Sequence, residues 1–89
     1  MNYEIKITGK VQGVGFRYFA QLKATEIGIK GWVKNNRDGT VLIMVHGEKT
    51  DLSTFIDYLQ IGPVRARVDK IYKSKIQSLS KFESFDIKA

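Results

Sequence analysis

The chain has 89 residues, 43% of them hydrophobic and 11% aromatic, which suits one small folded domain spanning residues 1–89 and excludes global disorder. It contains no cysteine, so disulfides, thiolate catalysis and cysteine-ligated metal are excluded, and no apolar run approaches the ~18 residues that cross a membrane. The formal net charge of +6 points to anionic partners or to a solvated lysine-rich surface, and does not separate a phosphorylated small molecule from nucleic acid.

Tyr3, Ile5 and Ile7 alternate with Glu4, Lys6 and Thr8, so residues 2–8 read as a strand with one buried face. A loop follows that holds three glycines, Gly9, Gly13 and Gly15. From there Phe16, Phe19, Ala20, Ala24 and Ile27 recur at helical spacing, and Gly28 suits a left-handed cap. Ile29, Gly31 and Val33 begin a second strand, with Trp32 on its other face. Residues 36–39 form a hairpin turn in which Asp38-Gly39 supplies the positive φ, and residues 41–45 suit a central strand. Gly47 breaks that run. Leu52, Phe55, Ile56 and Leu59 then mark a second amphipathic helix, closed by Gly62-Pro63. Residues 65–76 read as a fourth strand, and the three-residue spacing of Val68 and Ile71 predicts a bulge in it. Residues 82–87 alternate as a short last strand. The βαββαβ order predicts an α+β, ferredoxin-like sandwich: an antiparallel sheet with two helices on one face.

The glycine loop is the chemically informative segment. Its backbone amides can turn toward a common point, and it runs into a helix start, where unpaired N–H groups and the dipole favour anions. Arg17 falls in the first turn, so loop, helix end and guanidinium together suit a tetrahedral oxyanion such as phosphate. Other signals fall away. Gly13-Val14-Gly15 lacks the third glycine of a dinucleotide fingerprint, Tyr18 standing there, and no Gly-Lys-Ser/Thr closes a Walker loop. Residues 41–46 carry no aromatic with which an RNA-recognition sheet would stack bases. His46 is the single histidine, which suits a structural or surface role, and neither a Ser/His/Asp arrangement nor a carboxylate pair is apparent.

Residues 9–17 read Gly-Lys-Val-Gln-Gly-Val-Gly-Phe-Arg, which resembles the first signature of the acylphosphatase family, Gly-x-Val-Gln-Gly-Val-x-Phe-Arg. The second signature, Gly-Trp-Val-x-Asn followed by Gly-x-Val, is similar to Gly31-Trp32-Val33-x-Asn35 and Gly39-x-Val41. The resemblance continues through Gly62-Pro63 and Phe85-x-Ile87. It implies hydrolysis of acyl phosphates to a carboxylate and inorganic phosphate. By motif position it implies that Arg17 binds the phosphoryl group and Asn35 positions the attacking water. The amides of Val11, Gln12, Gly13, Val14, Gly15 and Phe16 would complete the phosphate cradle, with Gln12 also suited to bracing the loop. No metal and no organic cofactor is implied. The partners expected are a small-molecule acyl phosphate and inorganic phosphate, as product and inhibitor, with no membrane and no nucleic acid. A cytoplasmic monomer is expected, because the N-terminus lacks a signal-peptide pattern.

Such chemistry needs little machinery. A carboxylate leaves without a proton, so the general acid of a phosphomonoesterase is dispensable. What remains is to hold the dianion, orient water in line and stabilise the equatorial oxygens. Arg17 begins the first helix at the C-terminal end of strand one, and Asn35 lies near the end of strand two. Strand three separates those two strands, so Asn35 has to reach across it. The alternative is a non-catalytic module that binds a phosphorylated ligand or nucleic acid. A similar domain opens hydrogenase-maturation proteins, but here the sequence ends at Ala89, which favours the free-standing enzyme. Asn35 discriminates the two, since a pure binder has no use for a water-positioning amide.

Overall fold

A computed structural model describes residues 1–77 and 81–89. The elements run β1 (Asn2–Lys10), α1 (Phe16–Ile27), β2 (Lys30–Asn35), β3 (Val41–His46), α2 (Lys49–Ile61), β4 (Arg67–Ile76) and β5 (Phe85–Ile87). The strands form one sheet in the order β4-β1-β3-β2-β5. The first four pair antiparallel in the ferredoxin-like frame. The fifth lies parallel to β2, pairing Gly31 with Phe85 and Val33 with Ile87, so the sheet is mixed.

Period-two patterning decides which face is covered. Ile5 and Ile7 of β1, Val33 of β2, and Val41, Ile43 and Val45 of β3 are buried under the helices. Phe16, Ala20 and Ala24 of α1 and Leu52, Phe55 and Leu59 of α2 meet them from above. Phe85 joins this core from the edge strand, its ring edge-on to Phe55 with centroids 5.8 Å apart. Phe19, expected on the buried face, is half-buried beside Phe16, with the Lys23 ammonium 5.7 Å above its ring.

The bulge lies in β4. Thr8 pairs with Lys70 and Gly9 with Val68, so Asp69 is the extra residue. That insertion lets Val68 and Ile71, three apart, both pack against the core. Past the bulge the strands stay paired to Lys10 and Arg67, which makes β1 two residues longer than its alternation indicates. Gly9 is needed there: φ is 127°, and an added Cβ would collide with the Arg67 carbonyl oxygen. In the turn joining β2 to β3 only Gly39 takes positive φ, at 92°, while Asp38 does not. Asp38 instead braces the turn by accepting hydrogen bonds from the Thr40 hydroxyl, 2.6 Å, and the Thr40 N–H, 3.0 Å.

Candidate active site

The chain leaves β1 and crosses the end of the sheet through residues 11–15 before entering α1. Gly15 is the N-cap of α1, with φ 78° and ψ 20°, and it offers no side-chain cap. The first ladder bond of the helix runs from the Phe19 N–H to the Gly15 carbonyl, 3.0 Å. Helix geometry therefore gives the N–H groups of Phe16, Arg17 and Tyr18 no intrahelical carbonyl. Gly13 also sits at positive φ, 73°, a turn conformation that lets the loop bend toward the helix start. Beside it opens a cavity of about 220 Å³, lined by Val11, Gly13, Gly15, Phe16, Arg17, Tyr18, Asn35 and Ile87.

Arg17 and Asn35 thus meet in one cavity, and Asn35 does not reach across β3. The guanidinium is carried on α1, as expected, and α1 packs over β2 and β5. The loop itself crosses the intervening strand. Arg17 is steadied by donating from Nη1 to the Lys88 carbonyl oxygen, 3.0 Å, which leaves its other N–H groups for a ligand. Asn35, the last residue of β2, holds a buried Oδ1 with no hydrogen-bond partner among the described residues. A buried acceptor left unpaired costs about 1–3 kcal/mol, so such atoms in native sites call for a functional account.

Two of the loop residues face elsewhere. Gln12 Nε2 donates to the Asn36 carbonyl at 2.7 Å and the Thr40 carbonyl at 2.8 Å, clasping the loop to the β2–β3 hairpin. Val14 is half-buried against the hydrophobic core. Their side chains do not line the cavity. The hairpin is itself tied together, because Asn36 Nδ2 donates to Thr40 Oγ1, 3.1 Å, and that hydroxyl donates onward to Asp38. The two bonds from Thr40, with the Lys6 ammonium 3.7 Å away, hold the Asp38 carboxyl below the usual carboxylate range. Gln12 is the bridge that transmits this rigidity to the loop.

Sequence reading passed over three contributors. Tyr18 and Ile87 line the cavity, and the Lys88 carbonyl holds Arg17. Tyr18 had a local signal, being an aromatic one position past Arg17 and off the apolar stripe of α1. Ile87 and Lys88 reach the site through the parallel docking of β5 on β2, fixed by the Lys88 N–H bond to the Val33 carbonyl, 2.8 Å. His46 lies at the opposite end of β3 against Asn2, with Nδ1 and Oδ1 2.6 Å apart. Among the described residues there is no group of three or more His, Cys, Asp or Glu placed to hold a metal ion, and no helix long and apolar enough to cross a membrane.

The acylphosphatase family model matches residues 3–87. The acylphosphatase of Mannheimia succiniciproducens is 46% identical over 81 residues, covering 91% of this chain and 90% of the relative. That of Archaeoglobus fulgidus is 44% identical over 84 residues, covering 94% and 93%. The crystal structure of acylphosphatase from Bacillus subtilis superposes with a TM-score of 0.95 at 38% identity, over 99% of this chain and 98% of that one.

Proposed function

The chain belongs to the acylphosphatase family, and on that premise we propose that Arg17 and the loop amides hold the phosphoryl group of an acyl phosphate while Asn35 positions the attacking water. The enzyme hydrolyses the carboxyl–phosphate bond. Phosphoryl oxygens accept hydrogen bonds from the N–H groups of the 11–16 loop and the first turn of α1, and from the Arg17 guanidinium. The planar fork of arginine matches two equatorial oxygens and stays with them as charge redistributes in the transition state. The Asn35 side-chain amide hydrogen-bonds a water and aims its oxygen lone pair at phosphorus, opposite the acyl oxygen.

The bond from water oxygen to phosphorus forms as the phosphorus–acyl oxygen bond breaks. The departing electron pair stays on the carboxylate, a weak base that leaves unprotonated. The water proton passes to a phosphoryl oxygen, so the products are carboxylate and inorganic phosphate. No titrating side chain is asked to act. Positioning and fixed donors supply the rate.

The observation that carries this reading is that Asn35, whose buried Oδ1 has no partner among the described residues, lines the same cavity as Arg17 and the helix start. A module that only bound phosphate would gain nothing from burying that acceptor. We take the enzyme to act as a cytoplasmic monomer on small acyl phosphates, without a cofactor or nucleic acid, and with inorganic phosphate as competitive product inhibitor. Inhibition by inorganic phosphate tests the division of labour. It is expected to vanish in Arg17→Ala and to persist within about twofold in Asn35→Ala, since one loses the anion contact and the other only the water. Unchanged inhibition in Arg17→Ala removes Arg17 from its assigned role.

A further inference from the structure

Most of the cavity's mouth is apolar. Tyr18 is 67% exposed and Ile87 39% exposed, two of the large hydrophobic residues this small domain leaves in solvent, and both line the site. They come from different elements. Tyr18 stands in the first turn of α1, and Ile87 is set opposite Val33 by the parallel β5–β2 pairing. Single exposed hydrophobic residues are ordinary, but two converging on one cavity from separate elements form a surface that a ligand can cover.

The charge around the cavity is as one-sided as its shape. Arg17 is the only Lys, Arg, Asp or Glu among the lining residues. Of the lysines next in sequence to lining residues, Lys88 Nζ lies 4.5 Å and Lys34 Nζ 5.6 Å from the centroid of the Trp32 ring. The cavity lining therefore offers one guanidinium for one anionic group.

We infer that Tyr18 and Ile87 form the acyl subsite, and that this enzyme selects acyl phosphates with a neutral, aromatic or branched aliphatic acyl group over small or anionic ones. The inference rests on the hydrolase reading for the phosphoryl end and adds what lies beyond it. With phosphorus held at the helix start, the acyl chain projects to the mouth, where an aromatic ring can pack on Tyr18 and Ile87. Ring–ring contact raises affinity beyond area burial alone. A carboxylate or second phosphate there would lose water without gaining a cation. The selecting contacts are made by side chains, so the Tyr18 N–H offered to phosphate survives truncation of its ring.

The experiment compares kcat/KM for benzoyl, acetyl and succinyl phosphate in wild type, Tyr18→Phe, Tyr18→Ala and the Tyr18→Ala/Ile87→Ala double variant. Changes in the ratio between variants cancel the intrinsic reactivity of each substrate. The benzoyl-to-acetyl ratio should fall about fivefold in Tyr18→Ala and about tenfold or more in the double variant. Tyr18→Phe should retain it, and inhibition by inorganic phosphate should stay within about twofold throughout. Binding of phenylphosphonate against methylphosphonate reads the same preference without turnover, and should shift in parallel. An unchanged ratio in Tyr18→Ala, or a wild type that favours succinyl phosphate, overturns the subsite. If wild type hydrolyses no acyl phosphate, the hydrolase reading fails instead, and the phosphonate ratios still decide the subsite.

Discussion

Gln12→Ala probes the clasp between the anion loop and the hairpin that ends β2. The substitution removes the bonds from Nε2 to the Asn36 and Thr40 carbonyls, at 2.7 and 2.8 Å. Each such bond contributes about 0.5–1.5 kcal/mol net. The two carbonyls are not orphaned, because Asn36 O also accepts from the Gly39 N–H at 3.2 Å and Thr40 O from the Asn36 N–H at 2.9 Å. The loss therefore belongs at the lower end, about 1–2 kcal/mol in total. For a domain of this size, 1 kcal/mol corresponds to about 4–8 °C in Tm, so thermal unfolding followed by circular dichroism should show a drop of about 4–16 °C. Gln12→Glu should be worse at neutral pH, since a carboxylate cannot donate and faces two carbonyl oxygens. Turnover should fall with stability in both variants, because the clasp holds Asn35 in register with the loop. An unchanged Tm in Gln12→Ala, with unaltered kcat, would refute the bracing role.

Two further outcomes follow from the same hairpin and loop. The Asp38 carboxyl titrates below its ordinary value of 3.8, chiefly because of the Thr40 hydroxyl bond, so its stabilising contribution is present above that value and is lost as pH falls through the lowered one. Asp38→Asn should therefore lower Tm at neutral pH, and the gap to wild type should close in acid; a gap that stays constant down to pH ~2 contradicts the assignment. Gly15→Ala forces a side chain into φ 78° while its Cβ meets nothing within 4 Å, so the cost is backbone strain of about 1–2 kcal/mol. Weaker inhibition by inorganic phosphate should accompany the lower Tm, and phosphate inhibition equal to wild type would mean that loop curvature does not shape the cradle.

What was legible in the sequence divides along a physical line. Period-two and period-3.6 patterns are local, and they located β1, β3 and both helices to within a few residues. The spacing of Val68 and Ile71 even disclosed the bulge, because a strand cannot turn both inward without an extra residue. The glycine loop and Arg17 were legible for the same reason: an anion cradle is written in consecutive residues. Contacts made by the edge strand were not. Nothing in Phe85-Asp86-Ile87 states that it pairs parallel with β2, yet that pairing makes the sheet mixed, delivers Ile87 to the cavity and places the Lys88 carbonyl against Arg17. The two signatures placed Arg17 and Asn35 in one site, but how they meet was not legible, since that depends on α1 lying over β2. Gln12 shows the remaining ambiguity. An amide in a glycine loop can face the ligand or the protein, and only the packed hairpin decides that it faces the protein.

The most direct test of the central claim is the rate of benzoyl phosphate hydrolysis in EDTA, measured for wild type and Asn35→Ala together. Wild type should turn over rapidly, and the variant should lose about 10²-fold or more in kcat with its fold intact, the scale for removing one positioned transition-state group. Equal rates in the two proteins would contradict the role given to Asn35, and an inert, well-folded wild type would leave the cavity as a phosphate-binding site without chemistry.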